Sequence, residues 1–295
     1  MKHHFGDLLD RTDDYWTTLP NRDRYAFIAN FEIPDKSRVK ILTINKKQEK
    51  AHWEQVFDCP NLEELTLHDP GKEQVQSIRK LTNIRRLRVT FLRTADIEFI
   101  GELFNLEELI LEYVSGFSDL SPLVNLKKLR SLQCENLRRV SNWDGLKGLS
   151  SLRYLQIDGT LDWNQPIEDF NFLEGIPNLE VLALGFITNK TTYPALISIL
   201  TLKKLKKFIA GMSTLTTKEF AFLEQAIPNI ERCTFGDGKL EKYVISSGNY
   251  VYFLGKGTRS IYLDDAKLQE KIKLFEKKYD EYKTEAEKII RQYQN

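Results

Sequence analysis

Along most of this chain one six-residue pattern returns: an apolar residue, two variable ones, an apolar, a variable one and an apolar. Copies start at Val39, Leu62, Ile84, Leu106, Leu129, Leu152, Leu179, Leu205 and Ile230, at intervals of 23, 22, 22, 23, 23, 27, 26 and 25 residues. The second half of each copy alternates apolar and variable positions, which is the period of a half-buried strand. Polar lead-ins such as "CPNLEEL", "LFNLEEL" and "IPNLEVL" mark a turn into that strand. A fixed period of this length predicts a solenoid: one repeat cannot bury its apolar face alone, but stacked neighbours share a continuous core.

The residues between strands must return the chain to its starting side. Early returns such as "SDLSPLVNL" are short and interrupted by proline, so they predict no more than a 3₁₀ turn. The longer repeats predict helices there; "TTKEFAFLEQAIPNI" offers a cap at Thr216 or Thr217 and apolar Phe220, Leu223 and Ile227 at helical spacing. Both ends of a solenoid need covering. Residues 1–37 are expected to form an N-terminal cap ending in a strand, with Trp16, Tyr25, Phe27, Ile28 and Phe31 as its core, and 38–240 to hold about nine repeats. Residues 241–263 read as a β-meander cap with glycine turns. From 264 to 295 a charged helix carries Leu268, Ile272, Phe275, Tyr279, Tyr282, Ala286, Ile289 and Tyr293 as a heptad seam. That seam suits either docking on its own domain or a coiled-coil homodimer.

The repeat resembles the leucine-rich repeat family over roughly residues 38 to 240, and in its first half the bacterial internalins with their 22-residue repeats. The resemblance implies an α/β horseshoe of right-handed coils, a parallel sheet on the concave side and a protein-binding role. One departure is plain. The family's asparagine at the ninth repeat position is replaced by Pro70, Leu92, Val114, Leu137, Thr160, Ile187, Ser213 and Gly238, so the turns must be satisfied in another way.

Composition removes several function classes. Lys and Arg number 43 against 42 for Asp and Glu, a net charge of +1, which gives no overall pull toward nucleic acid or an anionic membrane. Neither a secretory signal nor an apolar run long enough to span a bilayer is legible, so a cytoplasmic, bacterial protein is expected. The four histidines and three cysteines, Cys59, Cys134 and Cys233, stand at no metal-ligand spacing. Cys134 and Cys233 fall on apolar repeat positions, where a thiol is a small hydrophobe. "GKGT" near Gly255 lacks the spacing of a phosphate loop, and no nucleophile elbow or dinucleotide fingerprint occurs. No catalytic residue, metal or cofactor is therefore expected.

Alternation converts the repeat into a surface map, because residues three, five and seven of each copy face away from the core. The middle copies place Arg86, Arg88, Glu108, Glu112, Glu135, Tyr154 and Asp158 there, with Phe91, Tyr113 and Phe186 as an aromatic rim at the eighth position. Aromatic side chains beside charge are what binding hot spots are enriched in. The expected partner is a protein or peptide with a basic patch meeting an acidic centre bordered by Arg86 and Arg88. The alternative is an inhibitor or immunity-type role, masking a toxin or an enzyme.

Overall fold

The computed structural model describes residues 26–235, 238–246 and 248–294. Ten strands form one parallel sheet, with β1 (Ala26–Ile28), β2 (Ile41–Asn45), β3 (Glu64–His68), β4 (Arg86–Thr90), β5 (Glu108–Glu112), β6 (Ser131–Glu135) and β7 (Tyr154–Asp158) side by side in chain order. A short strand β8 (Gln165–Ile167) leaves that sheet before β9 (Val181–Gly185), and β10 (Ile187–Asn189) leaves it before β11 (Lys207–Ala210) and β12 (Glu231–Cys233). Every repeat copy from Val39 to Ile230 thus supplies one strand of the sheet. Register is kept throughout: Leu65, Leu87, Leu109, Leu132, Leu155 and Leu182 stand opposite one another. These leucines are wholly buried in a single core that runs from Ala29 to the C-terminal helix.

The returns differ from expectation in where helix occurs. Short α-helices lie in the early coils, as α1 (Lys50–Trp53), α2 (Lys72–Ser77) and α3 (Glu98–Gly101), and 3₁₀ turns follow in the middle, including Ser121–Asn125. Among the described residues only the last return holds a longer helix, α4 (Thr217–Ala226), where Thr216 accepts the Glu219 N–H as its cap. The extra residues of the 27-residue coil go instead to β8, which pairs with β10 as a second, two-stranded parallel sheet.

Two sets of side chains take over the work of the missing asparagine ladder. At strand entry, Asn61, Asn105 and Asn178 donate to the carbonyls of Ser37, Thr82 and Ser150 one coil earlier, at 2.7, 2.7 and 2.6 Å, and Ser151 donates to Leu129 at 2.8 Å. Deeper inside, buried amides bridge coils. Gln55 accepts from the Ile33 N–H at 2.7 Å and donates to Phe31 O; Gln74 donates to Asn45 O at 2.8 Å; Gln165 accepts from Leu137 N–H at 2.8 Å and donates to Val140 O at 2.7 Å. Glu219 reaches across in the same manner to the Ala195 N–H at 2.7 Å. Each satisfies backbone groups that a buried turn would otherwise leave unpaired.

At the C-terminal end, β13 (Tyr243–Ile245), β14 (Tyr250–Phe253) and β15 (Ile261–Tyr262) make the expected antiparallel meander. The final helix α5 (Leu268–Gln294) lies against α4, with Leu268, Ile272, Tyr279 and Ala286 buried. Glu224 on α4 accepts from Tyr279 at 3.0 Å and Lys283 at 2.6 Å, and Lys218 pairs with Glu285 at 2.7 Å. The heptad seam from Leu268 to Ile289 thus packs in cis, whereas Tyr293 at its end is exposed. At the other end, Ile28 and Phe31 are exposed, not core, while Phe27 packs partly buried against the core; β1 is the outermost strand among the described residues. Trp16 and Tyr25 lie outside the described residues.

Candidate interaction surface

Strand register lines up the positions that alternate away from the main core into three rows. The first runs Glu64, Arg86, Glu108, Ser131, Tyr154, Val181 and Lys207; the second Thr66, Arg88, Ile110, Gln133, Gln156, Ala183 and Ile209; the third His68, Thr90, Glu112, Glu135, Asp158 and Gly185. All the sequence-predicted charged residues fall in these rows, as does Tyr154. Tyr154 and Val181, with Ile209 against them, form a small apolar cluster separate from the main core. Tyr154 also donates to Gln156 at 3.0 Å.

Charge on this face is arranged in pairs. Arg86 meets Glu108 at 3.3 Å and Arg88 meets Glu112 at 2.7 Å, so the arginines lie over two of the acids instead of bordering an open acidic centre. Glu108 is only 1 % exposed and its Oε2 has no hydrogen-bond partner. Burial pushes its carboxyl up to about 7 against the pull of Arg86, and Glu64 nearby adds to the rise. Asp158 is raised to about 6 by burial, with Gln156 and the Gly159 N–H opposing the rise, and its Oδ1 has no partner.

One residue beyond β3, β4, β5, β6 and β9 the chain bends through the left-handed region. Asp69, Phe91, Tyr113, Asn136 and Phe186 have φ of 45°, 57°, 54°, 55° and 40°. The N–H groups of Asp69, Phe91, Tyr113 and Asn136 donate to Thr90, Glu112, Glu135 and Asp158 at 2.8 to 3.0 Å, which carries the ladder one rung past the strand. Asp and Asn adopt this conformation readily, whereas a bulky ring pays roughly 1–2 kcal/mol for it. The rings at these costly positions point outward: Phe91, Phe186 and Tyr113 are 53, 45 and 39 % exposed. Phe91 stacks on Tyr113 with centroids 4.9 Å apart, and His68 meets Phe91 edge-on at 5.4 Å.

The opposite edge of the sheet, at strand entry, carries a feature that the leucine alignment passes over. The second repeat position reads Lys40, Glu63, Arg85, Glu107, Arg130, Arg153, Glu180 and Lys206. Glu107 is held by Arg85 at 2.8 Å and Arg130 at 2.5 Å, and Glu180 by Arg153 and by Lys206 at 2.6 Å. Burial works against both carboxylates, but their cationic neighbours hold them below the usual range. The charges at this one repeat position, of opposite sign in most neighbouring copies, were the signal in the sequence.

Past the strand ends of β7, β9 and β11 a cavity of about 740 Å³ opens, lined by Asp158, Gly185, Phe186, Gly211, Phe235 and Lys256 among others. It joins two sequence-predicted residues, Asp158 and Phe186, to residues of the last coil and the meander. Among the described residues, no group of three or more His, Cys, Asp or Glu could hold a metal ion. The three thiols are buried, and burial raises Cys59 to about 11. Among the described residues no helix is long and apolar enough to cross a membrane.

The sequence matches no protein-family profile and no protein of curated function. Among solved structures, an internalin of Listeria monocytogenes, InlF, superposes with a TM-score of 0.52 at 20 % identity, over 71 % of this chain and 60 % of that one. This chain therefore spans less than two thirds of that internalin. A leucine-rich repeat protein of Leptospira interrogans aligns over 68 % of this chain and 50 % of its own, at 17 % identity and a TM-score of 0.45. Internalin C2 of Listeria monocytogenes aligns over 52 % and 65 % at 21 % identity, with a TM-score of 0.39.

Proposed function

We propose, for a chain whose fold is the leucine-rich repeat solenoid, that it is a non-catalytic interaction module holding a protein or peptide partner. The partner lies along the aromatic edge and on the parts of the concave rows that stay open to solvent, since Glu108, Glu112, Tyr154 and Val181 are buried. The observation that carries this reading is the row of left-handed residues. Phe91, Tyr113 and Phe186 occupy positions where Asn, Asp or Gly would cost less, and they are exposed there. Local strain kept at aromatics that stay exposed, with only one another and His68 as ring partners among the described residues, supports a contact surface.

The charge expectation narrows accordingly. Arg86 and Arg88 engage the buried Glu108 and Glu112, so these acids hold the two arginines in place and present no open acidic centre to a partner. A partner's basic patch is directed instead toward the Asp158 end of the third row. In this reading residues 38–240 carry recognition, 1–37 and 241–263 cover the ends, and 264–295 strap the last coil.

The test is affinity capture from lysate of the source cells with wild type and with a Phe91→Asn/Tyr113→Asn variant as parallel baits. Proteins retained by wild type and reduced at least about tenfold by the variant are the expected result, since two hot-spot aromatics carry on the order of 2 kcal/mol or more. Identical captured sets with both baits would remove the aromatic edge from the binding surface.

A further inference from the structure

The cavity past the ends of β7, β9 and β11 is built differently from the rest of the concave side. Elsewhere on that side Glu108 and Glu112 meet arginines within the fold. At Asp158 the carboxylate accepts only a long contact from Gln156, at 3.4 Å, and the Gly159 N–H, and Oδ1 has no partner. Oδ1 is shut away from water, so a guest in the cavity meets the carboxylate by its other edge, with which no cationic side chain pairs among the described residues. Gly185 makes room for it: a Cβ there would stand 2.4 Å from Oδ1. Two rings, Phe186 and Phe235, line the same cavity and are 45 and 43 % exposed. With about 740 Å³ the space is within the range of sites that take a drug-sized ligand or a long side chain.

We infer that this cavity is the anchoring pocket for an arginine side chain of the bound partner, its guanidinium meeting the Asp158 carboxylate and its plane lying against Phe186 and Phe235. A guanidinium alone among cationic side chains is flat, stacks on aromatic faces and presents paired donors to a carboxylate. Gly185 and Gly211 keep the floor free of side chains, so the guanidinium can come close to the backbone. Of the two charged residues lining the cavity, Lys256 opposes a cation. It is exposed and follows β14, and its backbone N–H is tied to Leu215 O at 2.7 Å. That opposition separates a cation from other guests: its removal strengthens binding of a cation and weakens binding of an anion or zwitterion. The assignment rests on the proposed interaction role, yet its test needs no partner protein.

The probe is benzamidine, which joins an amidinium to an aromatic ring, titrated by calorimetry or by NMR against wild type, Asp158→Asn and Lys256→Ala at neutral pH. Neutral benzamide and anionic benzoate serve as isosteric comparisons. Expected are binding of benzamidine in the millimolar range, a loss of about tenfold or more in Asp158→Asn, and a gain in Lys256→Ala. A Gly185→Ala variant, folded by circular dichroism, is expected to lose binding because its methyl displaces the carboxylate. Benzamide binding as well as benzamidine, benzoate binding that Lys256→Ala abolishes, or no benzamidine binding by folded wild type each overturns the pocket. None of these touches the aromatic edge, so a failed pocket with a successful Phe91→Asn/Tyr113→Asn capture test leaves the interaction role standing.

Discussion

At the scale of single residues, the molecule stores cost in two places, and each has a measurable sign. Burial pushes the Glu108 carboxyl up to about 7, above an unfolded glutamate near 4.3. The fold therefore favours its protonated form. The contribution is fully present below about pH 4 and is lost as pH rises through about 7, on the order of 3 kcal/mol in total. Glu108→Gln should show a smaller fall in urea-unfolding free energy between pH 5 and pH 8 than wild type. Equal falls in the two proteins would mean that Arg86 compensates the buried charge fully. The second cost lies at the left-handed rings. Phe91→Asn exchanges lost ring contact for relieved backbone strain, so its unfolding free energy should stay within about 1 kcal/mol of wild type while partner capture drops. A large destabilisation would make the ring a packing residue.

At the scale of elements, the returns and the last helix owe their places to polar side chains that sequence reading could see but not aim. Gln165 is wholly buried and satisfies backbone groups at Leu137 and Val140, 28 and 25 residues away. Gln165→Leu keeps the volume and removes those bonds, so a loss of about 2–4 kcal/mol in denaturant unfolding is expected. The strands were legible because period-two alternation depends only on nearest neighbours. Gln55, Gln74, Gln165 and Glu219 were not, since their partners lie one coil away and nothing local distinguishes them from solvated polar residues. The lead-in asparagines are intermediate: "PNL" and "FNL" were visible as turns, but their amides' reach to the preceding coil is a property of the stack. The same holds for α5, whose seam was legible and whose partner was not. Tyr279 is 1 % exposed and anchors it to α4. Tyr279→Ala should cost about 3–5 kcal/mol with no change in mass by analytical ultracentrifugation; a drop to half the wild-type mass would reveal a dimer seam instead.

At the scale of the whole molecule, one core extends along ten parallel strands, so coils support only their neighbours and stability is a sum of nearest-neighbour terms. The terminal strands β1 and β12 are short and half-exposed, whereas β5 and β9 are buried at every residue. Amide hydrogen exchange should be slowest through β5 to β9 and fastest in β1 and β12; uniform protection would indicate all-or-none unfolding of the full stack. Of the candidate surface, the sequence placed the rows and the rim correctly by register, because alternation fixes which face a strand residue takes. It could not tell that Arg86 and Arg88 lie across Glu108 and Glu112, since pairing between coils depends on side-chain rotamers. Nor could it bring Phe235 and Lys256 to Asp158, since more than seventy residues separate them and only the winding of the last coils closes that distance.

The strand-entry charges amount to an ordering code for the coils. Gene duplication and loss make repeat arrays prone to contraction, and a leucine-only pattern would accept any neighbour. Here excision of residues 106–128 would set Arg85 against Arg130, while excision of 152–178 would set Arg130 against Glu180. Like charges would meet at the first junction and opposite charges at the second, so the order of the coils is written in a repeat position that does not fill the core.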